Sequence, residues 1–222
     1  MQFEKTILMN ENLNIYQKIQ EIHFEEINVA YDKSEFIIEY SKLSFNEGFL
    51  FKTIEAREKN TFKKVVKSLP KIKNSCDVNI KFQKANECVN DFLYFLISNN
   101  SLKSEKWGLN EDENDFFEIV DDYNSLEKFK KLFICELNEI KLHRRLYEVA
   151  KIGSIYDNWK LNDRKTEVLI NELINVMIPK NKEIRVFELE KWGDSLLGLF
   201  KGFLFVNISD CQITFFASDD YD

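Results

Sequence analysis

Leu199-Phe200-Lys201-Gly202-Phe203-Leu204-Phe205-Val206-Asn207-Ile208, then Ser209-Asp210, then Cys211-Gln212-Ile213-Thr214-Phe215-Phe216-Ala217: this stretch decides the fold. Two runs rich in aromatic and β-branched residues flank a pair of turn formers, the mark of a β-hairpin. Asn-Gly would be the stronger turn signal, so the loop is open to widening through Asn207 and Ile208. Side chains alternate along a strand. Phe200, Leu204, Val206 and Ile208 therefore share a face, as do Cys211, Ile213, Phe215 and Ala217. A loop of two residues or of four puts both sets on the same side of the sheet, whereas a slip of one residue would invert every side chain. The opposite face, with Phe203, Phe205 and Phe216, is apolar too, and a strand apolar on both faces is covered on both.

Working outward, Glu183 to Leu189 reads as a third strand feeding the hairpin. Twenty Phe against six Gly and two Pro argue against a sandwich of many tight turns. They favour an α+β fold in which several long helices pack on an antiparallel sheet that includes the C-terminal hairpin. The 222 residues are expected to form a single α+β domain, 1–222, with a subdivision near 100–110 left open.

The helical and strand patterns elsewhere vary in clarity. Ala85 to Ser98 is predicted helical, with Val89, Phe92, Leu93 and Leu96 on one face, ended by Asn99-Asn100-Ser101. Ser125 to Ala150 predicts the longest helix, on Leu126, Phe129, Phe133, Leu137 and Ile140, with Gly153 at its end. A further helix runs to Met177, capped by Asp163 or Thr166 and stopped by Pro179. Leu13 to Ile27 predicts an amphipathic helix on its isoleucines. Phe3 to Met9, Ser34 to Leu43 and Gly48 to Thr53 read as strands.

The net charge of −7 disfavours nucleic acid and anionic membrane as partners and suits a basic protein. No apolar run is long enough to span a bilayer, and the first residues lack a secretion signal. Cys76, Cys88, Cys135 and Cys211 are too scattered for a Cys-x-x-Cys motif, so reduced thiols in a cytoplasmic protein are expected. The charges are unevenly spread. Arg57 to Lys84 carries about nine Lys and Arg against two acids. With only Phe62 and Phe82 interleaved, it reads as a solvated face or an internal counterpart to the acids rather than a nucleic-acid surface. Glu111 to Asp122 carries about seven carboxylates and no base, and the chain ends Asp219-Asp220-Tyr221-Asp222.

Little in the chain points to catalysis. Gly193-Asp194-Ser195-Leu196 resembles the nucleophile motif of the GDSL esterases, but no histidine follows it, and a nucleophilic serine needs a base. Gly193-Asp194 as a turn before a strand is the plainer reading. His23 and His143 are the only histidines, so a zinc site would need carboxylates or distant ligands. His143 is expected to pair with Glu139 along its helix. There is no dinucleotide fingerprint, P-loop or His-Glu-x-x-His. No catalytic residue, metal site or cofactor is expected.

Trp192-Gly193-Asp194, Gly198-Leu199-Phe200-Lys201-Gly202-Phe203 and Phe215-Phe216-Ala217-Ser218-Asp219-Asp220 resemble the C-termini of bacterial immunity proteins that neutralise polymorphic toxins. Phe92-Leu93-Tyr94-Phe95-Leu96 with Asn99-Asn100 is similar to a segment of SUKH-type immunity proteins, although Asn100 replaces the Gly expected there. The wider resemblance implies a small acidic cytoplasmic protein that binds one toxin domain, often a basic nuclease, without catalysis. The residues expected to meet that partner are Glu111, Asp112, Glu113, Asp115, Phe116, Asp121, Asp122, Tyr123, Asp219, Asp220, Tyr221 and Asp222. Carboxylates there would engage Lys and Arg, and the aromatic residues would anchor. The rival expectations are a hydrolase using Ser195 and a structural protein that self-associates through the Phe-rich hairpin.

Overall fold

The hairpin forms the middle of a sheet whose outer strands come from far earlier in the chain. The computed structural model describes residues 15–27, 35–44, 49–71, 80–103, 125–129, 135–152, 161–188 and 202–218. A 3₁₀ turn at Lys18–Glu21 precedes β1 (Phe24–Ile27), α1 (Glu35–Ser44), β2 (Phe49–Ala56), α2 (Lys59–Ser68), α3 (Ile80–Ile97) and α4 (Asn100–Lys103). Then come α5 (Leu126–Phe129), β3 (Cys135–Leu137), α6 (Glu139–Ile152), α7 (Asp163–Met177), β4 (Ile184–Glu188), β5 (Gly202–Asn207) and β6 (Gln212–Ser218). The fold is α+β. Among the described residues the sheet has six antiparallel strands in the order β1-β2-β6-β5-β4-β3.

The register places Leu204 opposite Phe215, Val206 opposite Ile213 and Phe203 opposite Phe216, which is the pairing the alternation predicts. Both faces are covered, as two-sided apolarity requires. On the first face Leu204, Val206, Ile208, Cys211, Ile213, Phe215 and Ala217 pack with Ile54 of β2 against α2 and α3. Val89, Phe92, Leu93 and Leu96 of α3 are all fully buried there. On the second face Phe203, Phe205 and Phe216 pack with Val186 against α1, α6 and α7. The Phe-rich hairpin is thus core, and its rings lie at 3% exposure or less. Of the hairpin's predicted face, Phe200 lies outside the described residues.

The loop joining β5 to β6 is Ile208–Cys211, and side chains set its shape. Asn207 accepts from the Asp210 amide at 3.0 Å and donates to the Asp210 carboxylate at 2.8 Å. Lys182 reaches the other carboxylate oxygen at 2.8 Å, and Ser209 Oγ accepts from the Glu183 amide. Cys211 closes the loop at φ 62, a left-handed conformation costing a side-chain-bearing residue about 1 kcal/mol. Its thiol is fully buried, which offsets part of that cost.

Four predictions of local structure are corrected. The segment expected as a strand over Ser34 to Leu43 is helical over its described part, Glu35–Ser44: Ile37, Tyr40 and Ser41 are buried at i, i+3 and i+4, and Tyr40 Oη donates to the Leu146 carbonyl at 2.8 Å. Its Phe, Ile and Tyr content had suggested a strand, but packing against α6 and α7 overrides that preference. Leu13 to Ile27 does not run as one helix. Asn99 Nδ2 donates to the carbonyls of Ile19 and Ile22 at 2.7 and 2.8 Å, which satisfies the end of the 3₁₀ turn and frees β1 to pair with β2. Ser125 to Ala150 is interrupted as well. Cys135–Leu137 pairs with β4, and Asn138 Oδ1 accepts from the Lys141 amide at 2.9 Å to start a new helix. Leu137 is buried in β3 while Ile140 is 80% exposed, so the apparent helical stripe spans two separate elements. The cap of α7 is Asn162, which accepts from the Lys165 amide, rather than Asp163 or Thr166. Phe3 to Met9 lies outside the described residues.

Candidate functional site

Glu111, Asp112, Glu113, Asp115, Phe116, Asp121, Asp122 and Tyr123 lie outside the described residues, as do Asp219, Asp220, Tyr221 and Asp222. Ser195 does too. The described structure fixes the points where these segments attach. Before the acidic run, Leu102 is fully buried in the first-face core, and Ser101 Oγ accepts from the Phe24 amide. After the run, Leu126 packs on the same core. Phe24 pairs with Ala56 at the hairpin-loop end of the sheet, whereas the tail leaves from Ser218, paired with Phe49, at the other end. The Phe24–Ala56 and Phe49–Ser218 pairs stand seven residues apart along β2, roughly 23 Å.

The histidines serve as partners of carboxylates. His143 Nε2 lies 2.9 Å from Glu167 Oε2, so it joins α6 to α7 rather than pairing with Glu139 on its own helix. The spacing rule named a local partner, but the antiparallel neighbour offers a nearer carboxylate. His23 is 60% exposed, with Nε2 3.6 Å from Glu25. Among the described residues no group of three His, Cys, Asp or Glu could hold a metal ion, and no helix is long and apolar enough to cross a membrane. Neither Cys88 nor Cys211 is in a disulfide among the described residues. Burial pushes the Cys211 thiol up from its ordinary range, and burial first, then Cys88, does the same to the Tyr16 hydroxyl.

Several cations around the sheet are engaged internally. Arg57 pairs with Glu25, Lys59 with Glu55, Lys52 with Glu26, Lys151 with Asp163 and Arg145 with Glu188. The most enclosed pair is Arg185 of β4 with Glu136 of β3. Arg185 Nε and Nη2 meet the two carboxylate oxygens at 2.6 and 2.8 Å. The same guanidinium donates to the carbonyls of Leu69 and Pro70 and stands 5.3 Å from the Phe187 ring centroid. Nothing in the local sequence Ile-Arg-Val-Phe-Glu marks this role, because the partners come from 49 and 116 residues away.

The basic segment contrasts with these pairs. Phe62, Val65, Val66 and Leu69 of the α2 region are buried at 4% exposure or less. Lys64 and Lys67 fall on the opposite side of the helical wheel and Lys63 on its flank, while Lys71 follows the helix, which ends at Ser68. None of the four has an ion-pair partner among the described residues. Comparison of the chain with protein-family models, curated proteins and solved structures finds no match.

Proposed function

We propose that the chain is a non-catalytic cytoplasmic binding protein of the immunity kind, which takes a basic toxin domain through the acidic segments 111–122 and 219–222. The observation that carries this reading is the charge distribution. Seven carboxylates without a base surround Phe116, Phe117 and Tyr123, and three more surround Tyr221. Uniform charge steers an oppositely charged partner and raises its association rate, and aromatic residues supply the desolvated contact.

The test is a pull-down from the source cell together with inspection of the adjacent gene, followed by calorimetry with the partner recovered. Converting Glu111, Asp112, Glu113, Asp115, Asp121 and Asp122 to their amides should weaken binding at least about tenfold, with a steep dependence on salt. An interface insensitive to both charge and salt refutes the electrostatic basis.

A further inference from the structure

We draw no further inference here: the strongest candidate, the half-buried Cys88 thiol of α3 beside the buried Tyr16 hydroxyl, is a lone cysteine, and among the described residues no second feature next to it points to a ligand.

Discussion

Replacing Arg185 with Met tests whether the β3–β4 edge is held to α2 by a single guanidinium. In the native protein the side chain is 10% exposed and its partner Glu136 16%. The substitution keeps much of the volume and removes the charge. Glu136 then keeps a largely buried carboxylate without its guanidinium, and the Leu69 and Pro70 carbonyls lose their donors. Breaking a buried pair from one side costs about 3–5 kcal/mol. The residual exposure of both groups places the expectation near the low end, about 3 kcal/mol. For a chain of this size each kcal/mol moves Tm by about 2–4 °C, so R185M should melt roughly 6–12 °C lower. The double variant E136Q/R185M should recover part of the loss, because no uncompensated charge remains. Urea denaturation of the wild type, both single variants and the double variant closes the cycle. Amide exchange at the end of α2 should also quicken in R185M. A cost below about 1 kcal/mol, or additive single effects, refutes the assignment of Arg185 as the tie.

Two further outcomes are expected. Leu204→Ala and Phe205→Ala point to opposite faces of β5, and each should cost about 3–5 kcal/mol in urea denaturation, because both faces are covered; a near-neutral Phe205→Ala would mean an open second face. The Asp210 carboxyl is held below its ordinary range, first by the Lys182 hydrogen bond and then by Asn207, with burial opposing. A depressed carboxylate contributes stability that is present above its unfolded value, about 3.9, and lost as pH falls through the folded one. Asp210→Asn should therefore lower the urea midpoint at pH 7, and the difference from wild type should close as pH falls through the depressed folded value; a gap that persists in strong acid contradicts the linkage.

The parts of the fold that were legible in the sequence are those in which one element buries a complete pattern. Leu204, Val206, Ile213 and Phe215 alternate because the sheet itself alternates, and Val89, Phe92, Leu93 and Leu96 repeat because one helix face meets that sheet. What misled was apolar content shared between elements. Leu126 and Leu137 fit one helical repeat, yet they occupy α5 and β3, on different faces of the sheet. The break at Asn138 depends on a strand partner nearly fifty residues downstream, which local spacing does not encode. Asn99 looked like a simple helix stop, whereas its buried amide also ends the 3₁₀ turn eighty residues earlier. The candidate binding residues were legible only as charge, since hydrophobic periodicity reports what is buried and says nothing about which exposed group meets a partner.

The position of β6 between β2 and β5 has a consequence for biosynthesis. Leu50 waits for Ala217, and Phe51 for Phe216, so β1 and β2 emerge from the ribosome long before the strand that joins them to β5 and β4. Until then two unjoined sheet fragments expose unpaired edges and a store of phenylalanine, the condition that invites aggregation. A nascent chain stalled before Gln212 would lack the seam between them. Productive folding therefore waits for β6, and chaperone demand should be greatest until that strand has emerged.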